Sequence, residues 1–290
     1  MIAFRTRPYS LLDYYATSLE AGARSLFGPY LREALGRLAN PLSYPRFMEY
    51  ELALEPLQPL ESCRVLDIGS PKLPTLLLAR HSQCELYSTD IRDYFIGPTA
   101  HFVERLGRGA RLGRTIHLEV QDARALAYPD GFFDRVFSIS VLEHIPDTGD
   151  SQAMREIARV LKPGGIATIT VPFAAGGAYD EFLAGPVYER QADADGQTFY
   201  QRRYDAAAVA RRLVEPAGLN QKQITFFGEP SIRFEQYWNR IPMRWKLPVL
   251  WAQPFVATLC LKRLPPGQMD VACGVALTLE KPQVTRATRT

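Results

Sequence analysis

Apolar residues follow two rhythms along this chain. From Cys63 onward, short uninterrupted apolar runs alternate with stretches in which apolar residues recur every three or four positions. The first rhythm predicts buried strands and the second amphipathic helices. Strands are predicted at Arg64–Ile68, Glu85–Thr89, Thr115–Val120, Phe133–Ser140 and Ile166–Val171, and later at Ile224–Phe227 and Val271–Leu279. Helices are predicted at Pro74–His81, within Gly97–Gly113, at Ser151–Leu161 and at Tyr204–Leu213. Pro74 suits a first helical turn, where a missing N–H costs little. At Lys162-Pro163-Gly164-Gly165 a proline that cannot continue a helix meets glycines that accept a left-handed turn. This alternation predicts an α/β fold, a mostly parallel sheet with helices on both faces.

Before Cys63 the pattern is helical and aromatic-rich. Ser10–Leu26 and Pro29–Leu38 carry apolar residues at helical spacing, and Pro41, Pro45, Pro56 and Pro59 are expected to break the following stretch into short pieces. Residues 1–60 therefore read as an N-terminal helical cap over the sheet edge or the ligand crevice. Residues 61–281 read as the main domain, with insertions at 173–200 and 228–267, and residues 282–290 as a polar tail.

Composition narrows the class. Hydrophobic residues make up 47% and charged residues 22%, a globular balance. With 34 basic and 31 acidic side chains the net charge is +3, too even to imply a nucleic-acid partner. Cys63, Cys84, Cys260 and Cys273 form no CxxC pair, and read as reduced thiols of a cytoplasmic protein. The first residues show no secretion signal. The most apolar stretch, Leu247–Leu261, holds Pro248, Gln253 and Pro254 and is too short to span a bilayer. No pair of histidines has metal-ligand spacing, so no metal is expected.

The candidate chemistry lies at strand ends. In VLDIG, residues 65–69, an apolar run ends in Asp67, and Gly69 permits a sharp turn with no Cβ in a ligand's way. Asp67, Asp90 and Asp122 close three successive strands, the end at which open parallel sheets bind ligands. A nucleoside lying there needs such groups, since one carboxylate can accept two ribose hydroxyls and another an exocyclic amine.

These motifs resemble a known family. VLDIG at 65–69, STDI at 88–91, QDARALAYPDGFFDRVFSISVLEHIPD at 121–147, EIARVLKPGG at 156–165 and YDAAAVARRLVEPAGL at 204–219 resemble the class I S-adenosylmethionine-dependent methyltransferases of the type 11-like group. The resemblance covers residues 60–227 and the final strand. It implies a Rossmann-like seven-stranded, mostly parallel sheet with the last strand antiparallel, and S-adenosyl-L-methionine as cofactor. It also implies roles. Asp67, Gly69 and Ser70 would line the methionine moiety; Asp90 would take the ribose hydroxyls, with Ile91 against the adenine. Asp122 would accept from the adenine amine, with Ala123 at the ring edge, and Ser140 and Val141 would sit near the sulfonium. The family's Gly-x-Gly is here Gly69-Ser70-Pro71, which removes a glycine and an N–H donor. Lys72 beside it is expected to be solvated, the alternative being that it reaches the methionine carboxylate.

Methyl transfer from a sulfonium asks little of side chains. Orientation alone can supply up to ~7–11 kcal/mol, and a base is needed only where the acceptor must lose a proton. His144, just after the fourth strand, is the candidate base, with Glu143 a weaker one; the alternative is a structural turn. His81, His101 and His117 are expected at the surface. Residues 173–200 are placed to form a lid. Its acids Glu189, Asp193 and Asp195 suit either a cationic acceptor or a solvated loop. Residues 233–263 mix three tryptophans with basic residues. They suit a peripheral membrane contact, a lipophilic acceptor, a packed subdomain or a dimer contact. The expected function is methyl transfer to an oxygen or nitrogen of a small or medium-sized organic acceptor. The alternatives are a non-catalytic S-adenosylmethionine-binding or interaction protein and an NAD(P)-dependent oxidoreductase. Against the latter, no G-x-G-x-x-G follows the first strand.

Overall fold

In the computed structural model, which describes residues 9–188 and 190–283, five parallel strands come first. They are β1 (Arg64–Ile68), β2 (Glu85–Asp90), β3 (Ile116–Val120), β4 (Phe133–Ile139) and β5 (Leu161–Pro172). The chain starts at β1, steps outward to β2 and β3, then returns to the other side of β1 for β4 and β5. That reversal opens a crevice beyond the carboxyl ends of β1 and β4. Next, β6 (Tyr179–Ala184) and β7 (Gln197–Arg203) form a separate antiparallel hairpin. The sheet resumes with β8 (Asn220–Gly228), β9 (Lys262–Leu264) and β10 (Ala272–Glu280). Its order is β3-β2-β1-β4-β5-β10-β8-β9, and β10 runs antiparallel to both β5 and β8. The seven expected strands are present, and β9 adds a short eighth at the edge.

Alternate residues of the strands serve the two faces. Leu66, Ile68 and Val136 join one core with Met154, Ile157 and Val160 of α6 (Gly149–Val160). Val65, Phe137 and Ile139 join the other, with Leu77 and Leu78 of a helix at Leu73–His81. The preceding helices are α1 (Leu11–Ala23), α2 (Leu31–Ala39) and α3 (Arg46–Leu54); the Leu73–His81 helix is α4, and Ile96–Val103 is α5. α1 starts with a reciprocal Ser10–Asp13 capping box.

Three expectations change. The proline-flanked stretch is not broken into pieces. Pro45 is the N-cap of α3, and the helix ends just before Pro56, so the prolines bound the helix rather than interrupt it. Residues 47–54 are all buried, which hides the amphipathic period. The helix before Lys162 stops at Val160, and extended chain resumes at Leu161, with Gly164 taking φ +76° in a bulge against β4. The helical segment expected from Tyr204 begins at Ala206, capped by Asp205, and continues to Ala217. Tyr204 lies outside it: its hydroxyl donates to the buried Asp150 carboxylate at 2.9 Å. Arg202 and Arg212 bind the same carboxylate, so Asp150 ties α6, the hairpin and the 206–217 helix together. The tail from residue 284, residues 1–8 of the cap, and Glu189 lie outside the described residues.

Candidate cofactor and acceptor site

The turn after β1 is organised by Asp67, which is fully buried. One of its carboxylate oxygens accepts from Thr75 Oγ1 at 2.6 Å and Ser88 Oγ at 2.8 Å; the other accepts from Ser70 N–H at 3.1 Å. Gly69 takes φ +65°, and a Cβ there would lie 2.8 Å from Val141 Cγ1. Glycine is therefore required both by conformation and by the approach of β4's end. Ser70 Oγ accepts from Ile139 N–H at 3.0 Å, which pins the turn to β4.

Lys72 is not solvated. Its ammonium donates to Thr89 O at 3.0 Å, lies 3.5 Å from Asp67 Oδ2, and sits 4.5 Å above the Phe95 ring. The start of α4 at Leu73 brings its side chain back over the β1 and β2 ends. The turn also limits the ligand chemistry. Gly69 N–H is spent on Thr89 O at 2.9 Å, Ser70 N–H on Asp67, and Pro71 has none. No N–H of these three residues is left to cradle a pyrophosphate, as a dinucleotide would need.

The other strand-end acids differ from Asp67 and from each other. Asp90 is half-buried, and its carboxylate accepts a long bond from Arg92 N–H at 3.4 Å, with the Ile91 N–H also facing it. Burial raises its pKa, while the Lys72 ammonium pulls it back. Ile91, next to it, is exposed and offers an apolar face to a ring. Asp122 already holds a partner: Arg124 Nε contacts both its oxygens at 3.0 and 3.1 Å, and a second guanidinium nitrogen lies at 2.7 Å. That pairing holds its pKa down. Ala123, half-buried, separates the pair.

At the end of β4, Ser140 sits at φ +51°, an uncommon conformation for a residue with a Cβ. Its hydroxyl donates to Glu49 Oε1 at 2.9 Å; Glu49 comes from α3 and pairs with Arg46 at 2.5 Å. Glu143 is buried, and its Oε2 has no hydrogen-bond partner. Burial pushes its pKa up to about 8, reinforced by the Glu49 carboxylate.

His144 Nδ1 lies 2.7 Å from Tyr200 O. A carbonyl can only accept, so Nδ1 carries the proton and Nε2 keeps its lone pair. Burial holds the imidazole below its ordinary pKa, which favours this neutral form. Nε2 stands 3.9 Å from Glu143 Oε1, and the Tyr188 and Tyr200 rings meet the imidazole edge-on. Arg190 donates to His144 O at 2.7 Å. The 173–200 insertion thus folds as a hairpin, and residues from it and its loop hold His144.

Sequence reasoning missed Glu49, Arg46, Tyr188 and Tyr200. Two carboxylates inside the apolar run FMEYELAL, residues 47–54, were the available signal for Glu49; a main-chain carbonyl such as that of Tyr200 leaves none. Of the acidic run, Asp193 is used locally, accepting from Asp195 N–H and Gln197 N–H. His101 and His117 are half-buried rather than at the surface: His117 stacks on Tyr87 at 4.2 Å, and His101 packs on Tyr30 at 5.5 Å. Among the described residues, no group of three or more His, Cys, Asp or Glu is arranged to hold a metal ion.

Comparisons with known proteins place the chain among methyltransferase-like proteins. Residues 66–169 match the model of the methyltransferase domain family. A methyltransferase from Streptomyces halstedii is 43% identical over 67 residues, covering 22% of this chain and 23% of that protein. A sterol 24-C-methyltransferase from Eremothecium gossypii is 32% identical over 106 residues, covering 36% and 27%. The chain thus spans about a quarter of the length of these curated relatives. Among solved structures, the Burkholderia thailandensis 1,6-didemethyltoxoflavin-N1-methyltransferase superposes with a TM-score of 0.50 at 14% identity, covering 96% of this chain and 93% of that one. With β10 inserted between β5 and β8, the structural likeness gives the chain the fold of class I S-adenosylmethionine-dependent methyltransferases, and residues 66–169 resemble the methyltransferase domain family.

Proposed function

We propose that the protein is an enzyme that transfers a methyl group from S-adenosyl-L-methionine to an oxygen or nitrogen of a small or medium-sized organic acceptor. The observation that carries this reading is the pairing of an Asp90 carboxylate held by main-chain N–H groups with a turn whose residues 69–71 offer no free N–H to a pyrophosphate. A ribose without a diphosphate fits such a turn. When bound, the cofactor supplies a methyl group already activated by its sulfonium. Asp90 takes the ribose hydroxyls, and Ile91 and Ala123 flank the adenine, whose amine Asp122 accepts. Asp67, Gly69 and Ser70 hold the turn beside the methionine part. Ser140 and Val141 border the reacting end.

His144 is the base in this reading. With Nδ1–H fixed on Tyr200 O, Nε2 takes the acceptor's proton as attack proceeds. The names of the sterol relative and of a 2-methyl-6-phytyl-1,4-hydroquinone methyltransferase, 44% identical over 55 residues, support a lipophilic acceptor. The four free cysteines support a cytoplasmic location. Residues 1–60 act as cap, 61–281 as catalytic domain, and 233–263 as a peripheral contact. Among the described residues no helix is long and apolar enough to cross a membrane.

Calorimetric titration tests the reading. S-adenosylmethionine and S-adenosylhomocysteine are expected to bind saturably, and NAD and NADP to give no binding heat. Binding of a nicotinamide dinucleotide alone would replace it with an oxidoreductase. Adenosyl binding without turnover across a broad acceptor panel would make the chain a non-catalytic binder.

A further inference from the structure

Residues 233–263 are built as a surface with two unlike sides. Ala257, Cys260 and Leu261 are buried against Tyr44, Met48 and Phe227, and Tyr15 donates from its hydroxyl to Trp251 O at 3.2 Å. The segment is therefore anchored on the domain. Its other side is open and apolar: Leu259 is 76% exposed, Trp245 66%, Met243 60%, Leu247 55% and Trp251 52%. These side chains come from short consecutive helices, Met243–Lys246, Leu247–Ala252 and Gln253–Cys260. Large apolar side chains this exposed, gathered within 17 consecutive residues, mark an interaction site.

Charge identifies the partner. The segment carries six basic residues and one acidic residue, a surplus of five, whereas the whole chain's surplus is three. Arg263 is paired with Glu51 and Glu55. Arg240, Arg244 and Lys262 are exposed, and none has a carboxylate partner among the described residues. Exposed tryptophans and leucines fringed by unpaired cations fit the boundary between anionic headgroups and acyl chains. A twofold dimer fits poorly, because the same patch would meet itself and bring unpaired cations together.

We propose that residues 233–263 dock the protein on an anionic lipid surface. The indoles and leucines insert at the headgroup level, and Arg240, Arg244 and Lys262 meet lipid phosphates. This does not rest on the methyl-transfer reading, since vesicle binding needs neither cofactor nor acceptor.

All three tryptophans of the chain lie in this segment, so tryptophan emission, excited selectively over the tyrosines, reports on it alone. Phosphatidylcholine vesicles containing phosphatidylglycerol are expected to shift the emission to the blue and to co-sediment with the protein; pure phosphatidylcholine should do neither. Added salt should weaken binding. The Arg240→Glu/Arg244→Glu double variant, with unchanged circular dichroism and melting, should bind at least roughly twentyfold more weakly, given about fivefold per cation at a surface. Trp245→Ala should bind more weakly and lose part of the shift. No binding to anionic vesicles, or equal binding to neutral ones, overturns the proposal. So does a stable dimer by sedimentation velocity that Trp245→Ala dissociates while vesicles leave the emission unchanged.

Discussion

The two halves of the crevice treat buried charge in opposite ways. At the end of β1, Asp67 is sealed in and saturated: two hydroxyls, a main-chain N–H and the Lys72 ammonium surround it. At the end of β4, Glu143 is as deeply buried, yet one of its oxygens meets no donor. A saturated buried acid holds a shape; an unsaturated one is costly unless it stays neutral or has work to do. The β1 half is scaffold that presents Asp90. The β4 half keeps idle hydrogen-bonding capacity beside a histidine with a free lone pair.

Substitutions that blur this contrast should have graded effects. Asp67→Ala leaves two hydroxyls, an N–H and an ammonium facing an empty space. Urea unfolding should show a loss of roughly 3–5 kcal/mol, the cost of breaking a buried charged node. Restored stability in Asp67→Asn would show that the hydrogen bonds matter more than the charge.

Glu143 should betray itself through pH. Its folded pKa, about 8, lies above its ordinary 4.5. Between those values the folded chain holds a proton that the unfolded chain has released, so stability falls as pH rises. Its contribution is full below pH 4.5 and is lost through pH 8. Relative to Glu143→Gln, the wild type should lose on the order of 5 kcal/mol across that window. Parallel pH profiles for the two proteins would mean that Glu143 is ionised and partnered.

His144→Ala should lower turnover about a hundredfold and leave S-adenosylhomocysteine affinity intact. The wild-type rate should hold at pH 6.5 and fall only below it, because burial depresses the imidazole pKa. Unchanged turnover would reduce His144 to a fixed point of the hairpin. The smallest effect is expected on the scaffold side: Asp90→Ala should weaken cofactor binding by about 1.5–3 kcal/mol through lost charge-assisted hydrogen bonds. Unaltered affinity in a folded variant would remove the ribose assignment.

The same contrast separates what the sequence reveals from what it hides. β1, β2 and β4 are legible because buried parallel strands are short apolar runs, and Asp67 and Asp90 punctuate the first two. Gly69 is legible because its position leaves room for no side chain. The β4 half is not, because its parts come from three distant places. Glu49 reaches Ser140 across 91 positions from a helix whose all-round burial erases its period. Tyr200 acts through a main-chain oxygen. Lys72 reads as solvated because nothing local announces that Thr89 O and the Phe95 ring will stand over it.

The position of β10 bears on how the molecule comes into being. Ala272–Glu280 lies between β5 and β8 and bonds to both, although it is made after both of them and after β9. A chain emerging in order from the ribosome must hold two long open strand edges, Leu161–Pro172 and Asn220–Gly228, with nothing between them until residue 280 is out. Such edges recruit other strands. The nascent chain is therefore most vulnerable to mispairing just before synthesis reaches that strand, and the apolar helices at 243–260 are already exposed beside it during the same interval.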